Sequence, residues 1–206
     1  MKTMDRQTGA SPTDPNDNRG KWNAWYRGLS VEQPQLYGNA ATYLIAAAFL
    51  ADVGEVEDWG CGKGGFSHFC LGKYIGIDGS DTPFASRIAD LRTYRSKAEG
   101  ILIRHVLEHN YDWEAILAGA VESFQKKLCL ILFTPFAAET RELSHNREVG
   151  IDAPNLSLAR ADIEAHFDGL SWRLIPDIRT PSQFGIEHVY LVWRSDKGEA
   201  SQAGVA

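Results

Sequence analysis

Cysteine is scarce in this chain of 206 residues: there are three, Cys61, Cys70 and Cys129. An odd, scattered count supplies neither a disulfide framework nor a paired-cysteine zinc site. Each is expected as a small, reduced apolar residue. Long apolar runs are missing as well. No stretch approaches the roughly 18 apolar residues that a membrane-crossing helix needs, so no membrane span is expected. The opening Met1-Lys2-Thr3-Met4-Asp5-Arg6-Gln7 lacks the apolar centre of a secretory leader, and a cytoplasmic protein is expected. There is no long basic run, and the formal net charge is −6. Nucleic acid is therefore not expected as a partner. There is no internal repeat.

What is present is an ordinary globular composition, 44% apolar, enough for one sizeable core. Residues 1–20, rich in Asp, Asn, Pro, Ser and Thr, read as a mobile tail, and residues 195–206 as another. Between them a single domain is expected over 21–194, made of an N-terminal arm and helix (21–52), a cofactor-binding half (53–136), and a substrate-side loop with closing strands (137–194). The arm carries Trp22, Trp25, Tyr26 and Tyr37. Two readings stay open: a lid over a ligand pocket, or aromatics that pin the arm to the core.

The chain is organised around Val56-Glu57-Asp58-Trp59-Gly60-Cys61-Gly62-Lys63-Gly64-Gly65-Phe66. An apolar-acidic strand breaks into glycines and then into a short helical segment. Glycine lets a ligand approach the main chain, and strand, glycine turn and helix start together make the ligand-binding edge of an open α/β sheet. Asp58 ends the first strand. Asp78 ends the second, Tyr74-Ile75-Gly76-Ile77-Asp78, where an acid suits ribose hydroxyls. A carboxylate at the position of Asp58 repels a pyrophosphate but suits a ligand with a cationic ammonium.

These residues resemble the class I S-adenosylmethionine-dependent methyltransferases. Four blocks carry the resemblance in the family's order: Asp58-Trp59-Gly60-Cys61-Gly62-Lys63-Gly64, Gly76-Ile77-Asp78-Gly79-Ser80, Ala89-Asp90-Leu91, and Arg104-His105-Val106-Leu107-Glu108-His109. It extends over about residues 36 to 194. It implies an α/β fold: a Rossmann-like seven-stranded, mostly parallel sheet, flanked by helices on both faces, with an antiparallel closing strand near the C-terminus. It also implies S-adenosyl-L-methionine as cofactor, held by Asp58, Gly60, Cys61, Gly62, Asp78, Gly79, Asp90, Leu91 and His105, with Asp90 beside the adenine.

The remaining elements follow from periodicity and breakers. A helix is expected over Asn39 to Asp52 with Asn39 as cap. Another is expected to start at Ser80-Asp81-Thr82-Pro83, a third over 112–125 closed by Lys126-Lys127, and a fourth over Leu158 to Phe167 capped by Ser157. Strands are expected at 73–78, 100–104, 128–133, 171–175 and 188–193, the last two as an antiparallel pair. Residues 137–157 hold a long polar connection at the sheet's ligand edge, the first candidate for substrate selection.

Methyl transfer to a hydroxyl or a protonated amine needs a base. The candidates are His105, Glu108, His109 and His145. His105 at the end of the fourth strand is placed first; Glu108 and His109 are expected to orient the turn. His-x-x-x-His with Glu108 between is not the order of a zinc protease, and no metal is expected. The resulting expectation is methyl transfer to an O or N nucleophile of a small molecule such as a sugar, a lipid-linked precursor or a secondary metabolite. The alternatives are a protein methyltransferase, a non-catalytic cofactor-binding scaffold and, least favoured, a dinucleotide-binding oxidoreductase. Oligomeric state is not legible.

Overall fold

The computed structural model describes residues 19–30, 32, 34–147 and 153–195. Residues 1–18 and 196–206, most of the two expected tails, lie outside the described residues. Arg19 and Gly20 already belong to a helix, α1 (Arg19–Tyr26). The other helices are α2 (Ala41–Phe49), α3 (Trp113–Ser123) and α4 (Arg160–Ala165). The strands are β1 (Glu55–Trp59), β2 (Lys73–Asp78), β3 (Arg87–Ile88), β4 (Gly100–Arg104), β5 (Lys127–Leu132), β6 (Arg141–Asn146), β7 (Ala153–Ser157), β8 (Ser171–Arg179) and β9 (Ile186–Trp193).

Seven strands form one sheet in the order β3-β2-β1-β4-β5-β9-β8. The first five run parallel, β9 lies antiparallel on β5, and β8 antiparallel on β9. This is the Rossmann-like sheet expected, with its antiparallel closing strands. Side-chain alternation along the strands sorts the core into two layers. Ile101, Ile103, Leu128, Leu130 and Leu132 face Trp113, Ile116, Leu117 and Ala120 of α3 and Ile163 of α4. Leu102, Cys129, Ile131 and Val189 face Tyr43, Ala46 and Ala47 of α2. Strands covered on both faces read as the continuous apolar runs seen at Gly100–Arg104 and Lys127–Leu132.

Several expected elements are displaced, each for a local reason. The helix at Ser80–Pro83 does not form, because the segment spends its backbone groups on β2 and the glycine loop. Ser86 N–H donates to Gly76 C=O and Ala89 N–H to Asp78 C=O, at 2.8 Å each, and Thr82 Oγ1 donates to Gly62 C=O at 2.5 Å. Lys127 does not close α3. It opens β5, and its ammonium donates to the Phe49 carbonyl at the end of α2 and to Asp52 at 2.9 and 2.6 Å, so it caps a different helix. Within α2, Leu44 points outward with 55% exposure. The polar connection over 137–157 is not a loop throughout: β6 and β7 pair antiparallel in a second, two-stranded sheet. Ser157 lies in β7, where its hydroxyl donates to the Pro135 carbonyl, rather than capping α4.

Glycines in the parallel half are steric requirements. A Cβ on Gly76 would stand 2.1 Å from the Phe84 carbonyl oxygen and 2.9 Å from Cys61 Sγ, whereas at Gly79 the nearest atom is 3.8 Å away. Gly76→Ala is therefore expected to lower unfolding stability by about 1–3 kcal/mol, the usual cost of overpacking, while Gly79→Ala stays within about 0.5 kcal/mol. Urea unfolding of the two variants checks this; equal stabilities would contradict the placement of Phe84 over β2.

Candidate functional site

β1 and β4 end side by side at the carboxyl edge of the sheet, where the chain turns through Gly60, Gly62 and Gly64. All three have positive φ, at 75°, 49° and 70°, which is why these positions are glycine. Space is limiting at two of them. A Cβ on Gly60 would meet Val106 Cγ2 at 2.3 Å, and one on Gly64 the Phe84 ring at 2.1 Å. The helix expected after the loop is a single 3-10 turn, Gly65–His68.

A cleft of about 390 Å³ opens at this edge, within the size range of small-molecule sites. Its walls include Trp22, Trp25 and Tyr26 of α1, Tyr37, Gly60, Gly62, Arg104, His105, His109, Phe133, Asn146, Ser182 and Gln183. Of the expected cofactor residues it thus brings together Gly60, Gly62 and His105. The arm aromatics share the same cleft, and the hydroxyls of Tyr26 and Tyr37 come 3.1 and 3.5 Å from where a Gly62 Cβ would be. Lys63 holds this arm from the loop side, its ammonium 5.0 Å from the Trp25 ring and 4.9 Å from the Tyr37 ring, at cation–π distance.

The other expected residues stand behind or beside the cleft. Asp58, 4% exposed, accepts a hydrogen bond from the Tyr74 hydroxyl at 3.0 Å. Burial pushes its carboxyl up to about 7, with the Asp78 charge adding to the rise and Tyr74 and Arg104 opposing it. Asp78 accepts from the Gly62 N–H at 2.9 Å and the Ser80 N–H at 2.8 Å. Burial raises it to about 6 against those bonds. Asp78 thereby ties the glycine loop to β2. Cys61 turns its thiol into a small cluster with Phe84 and Ala85, leaving only its main chain for a ligand. Gly79 follows β2 directly. Asp90 is ion-paired to Arg92 at 2.7 Å, and Arg92 also reaches Asp112 at 3.3 Å. Leu91 packs in the core with Trp59 and Tyr94.

Beneath the cleft lies a buried polar network that sequence reading did not assemble. Arg104 Nη2 pairs with Glu187 Oε1 of β9 at 2.9 Å. The same nitrogen donates to the Tyr37 carbonyl at 2.7 Å, and Nη1 to the Tyr43 hydroxyl at 3.0 Å. Thr42 donates its hydroxyl to the other Glu187 oxygen. His105, next in the chain, is strained: its φ is +56°, uncommon for a residue with a Cβ. Its Nε2 is 3.2 Å from Glu187 Oε1 but poorly aligned for a hydrogen bond, and its Nδ1 is 3.4 Å from Arg104 Nη1. Both ring nitrogens thus face groups of the chain itself. Burial, with Arg104 assisting, depresses the imidazole to about 4 against the pull of Glu187, so it is neutral at pH 7. Burial also raises Glu187, but His105, Arg104 and Thr42 hold its carboxyl below the usual range.

The remaining base candidates separate clearly. Glu108 is fully buried and accepts from the Phe133 N–H at 2.6 Å. Burial lifts its carboxyl to about 8, so it is protonated at neutral pH. It orients the turn as expected and does not face the cleft. His145 lies on β6, 3.1 Å from Glu142. His105 and His109 do not share a helix face, because the helical turn covers only Leu107–His109; they meet as two walls of one cleft.

Two outcomes follow from this network. Glu187→Ala leaves a buried guanidinium without its counter-charge, and a loss of about 3–5 kcal/mol in urea unfolding is expected. His105 has a folded pKa below its unfolded one, so its contribution is complete above about pH 6.5 and shrinks as pH falls toward 4. His105→Asn, which tolerates positive φ, is expected to lose less stability than the parent between pH 6.5 and 4.5; identical acid curves would mean that His105 titrates normally.

No protein-family model matches this sequence, and no curated protein does. Solved structures do match in fold. Magnesium protoporphyrin IX methyltransferase of Synechocystis PCC 6803, with bound S-adenosylmethionine, superposes with a TM-score of 0.60 at 19% identity, over 91% of this chain and 100% of the other. The Burkholderia thailandensis 1,6-didemethyltoxoflavin-N1-methyltransferase, with its acceptor and S-adenosylhomocysteine bound, gives 0.59 at 12% identity over 91% and 92%. An S-adenosylmethionine-dependent methyltransferase of Mesorhizobium loti gives 0.52 at 13% identity over 73% and 96%.

Proposed function

We propose that this chain, whose fold is that of the class I S-adenosylmethionine-dependent methyltransferases, transfers a methyl group from S-adenosyl-L-methionine to a small molecule bound in the aromatic cleft. The observation that carries this is the chemistry of the glycine loop. Three positive-φ glycines sit between two buried carboxylates, Asp58 and Asp78, each ending a neighbouring parallel strand. That set fits a ligand with an ammonium at one end and ribose hydroxyls next to it, and it opposes a pyrophosphate. Gly60 and Gly62 would take the ligand against their main chain, Asp58 the ammonium and Asp78 the ribose.

When bound, the cofactor supplies an activated methyl group on a sulfonium, displaced in line by the acceptor. The protein's own part is to orient and to exclude water. Orientation of two reactants is worth roughly 7–11 kcal/mol of a barrier. Trp22, Trp25, Tyr37 and Phe133 form apolar walls around the polar floor of Arg104 and His105, and α1 is the lid in this reading. The α1 helix is anchored on the cofactor side by Asn23, whose Oδ1 accepts from the Asp81 N–H at 2.7 Å. An O or N nucleophile of a small molecule suits an enclosed cleft of this size better than a protein side chain. One observation favours a second reading. The Tyr26 and Tyr37 hydroxyls lie close above Gly62, as they would in a protein of this fold that does not take the cofactor.

Titration calorimetry separates these readings. S-adenosylhomocysteine is expected to bind and NAD not to. Removing a hydrogen bond to a charged group costs about 1.5–3 kcal/mol, so Asp58→Asn should weaken S-adenosylhomocysteine at least about tenfold. The free-protein pKa of Asp58 is about 7, and an ammonium ligand favours its ionised form. Affinity should therefore rise as pH goes from 6 to 8, with a proton released on binding. Absence of S-adenosylhomocysteine binding would favour the second reading, and tighter binding of NAD would overturn both.

A further inference from the structure

Among the cleft imidazoles, His109 is the one whose hydrogen bonding leaves a ring nitrogen with an untaken lone pair. Its Nδ1 lies 2.9 Å from the Pro154 carbonyl oxygen of β7. A carbonyl only accepts, so Nδ1 carries the hydrogen and Nε2 is left with its lone pair. Nε2 has no hydrogen-bond partner among the described residues, yet it is not sealed in the interior. The ring lines the cleft beside Gly60 and Gly62. His105 is the opposite case, since both of its nitrogens face Arg104 and Glu187.

The surroundings of His109 also specify what it would meet. Trp22 stands 6.3 Å from its ring centre and Phe133 5.4 Å; Phe133 continues the wall to His105 at 4.7 Å. None of the described residues lining the cleft is acidic, so no carboxylate among them pairs with a cationic amine. An aromatic wall with a neutral base set into it suits a planar ring bearing a hydroxyl. Burial lowers the His109 pKa, while the Pro154 carbonyl opposes the shift. A weakened imidazole accepts a proton from a phenol far more readily than from an alkyl alcohol.

Resting on the methyl-transfer reading above, we propose that His109, through Nε2, is the general base of the reaction and that the acceptor is a phenol. The aromatic oxygen forms its bond to the methyl carbon of the sulfonium donor as its proton passes to Nε2. The electron pair of the broken carbon–sulfur bond stays on sulfur, and the proton leaves His109 for water at the cleft mouth.

The first test needs neither cofactor nor acceptor. In a long-range proton–nitrogen NMR spectrum of the ¹⁵N-histidine protein, the signals that vanish in His109→Asn are expected to be those of a neutral ring protonated at Nδ1. The Asn amide reproduces the Nδ1–H bond to Pro154, so the fold and the S-adenosylhomocysteine affinity should be kept within about twofold. Diethyl pyrocarbonate, which attacks an unprotonated ring nitrogen, is expected to modify His109 before His105. The second test follows labelled methyl transfer to 2-naphthol and to the far more acidic 4-nitrophenol. His109→Asn should slow the first by about 10²–10⁴-fold, the second by much less, with recovery at high pH where the phenol ionises unaided. A ring protonated at Nε2, or equal losses with both phenols, overturns the base. Transfer to neither phenol by a protein that binds S-adenosylhomocysteine overturns the acceptor class. A protein that does not bind S-adenosylhomocysteine overturns the methyl-transfer reading, and the base with it, whatever the NMR result.

Discussion

The ion pair between Arg104 and Glu187 is the interaction on which the site rests. Both side chains are almost fully buried, at 4% and 1% exposure. Two charges taken out of water cost several kcal/mol each unless every remaining donor and acceptor is satisfied. The chain meets that demand from four directions: the Tyr37 carbonyl in the arm, Thr42 and Tyr43 in α2, Arg104 on β4, and Glu187 on β9. An interaction with such exacting partners acts as a register device. It ties a parallel strand to an antiparallel one across β5, and it ties both to the arm that walls the cleft. His105 is held in its positive-φ conformation directly above this pair, an example of strain kept where surrounding contacts over-determine a residue.

Electrostatics divide the edge of the sheet into two halves. Around the glycine loop, Asp58 and Asp78 are buried at the ends of adjacent strands, and desolvation, with the Asp78 charge adding to it, raises Asp58. A site in this condition is prepared for positive charge and for hydroxyl donors. Around His105 and His109 no carboxylate lines the wall among the described residues. The two imidazoles there, His105 and His109, are neutral because burial disfavours their charged forms, and the Arg104 charge is met by Glu187. The same physical term, loss of water, raises the two carboxyls of one half and keeps the imidazoles of the other uncharged.

The arm connects these halves. Trp22 stacks on Tyr26 at 5.6 Å and reaches His109, while Tyr26 and Tyr37 stand over Gly62. Short aromatic segments with little hydrophobic core of their own take up positions through such contacts, so the location of α1 follows from the rings and from Lys63 rather than from helix propensity.

Legibility differed by kind of residue. The parallel strands were readable because burial on both faces leaves continuous apolar runs, and the glycine loop because positive φ leaves few alternatives to glycine. Asp58 and Asp78 were readable because an acid at the end of such a strand is out of place without a ligand. The helix at Ser80–Pro83 was misread, since its turn chemistry was real but edge pairing with β2 claimed the same backbone groups. The β6–β7 pair was hidden because a polar, two-stranded sheet lacks the apolar alternation that marks a strand. Glu187 carried one signal, an acid inside an apolar strand, and Arg104 the matching one, yet nothing local says that the two meet. By itself the sequence determined the parallel sheet, the glycine turn and the two acids, because each is written in neighbouring residues. Only the tertiary structure decided which histidine keeps a free lone pair, because that depends on a carbonyl from a strand more than forty residues away.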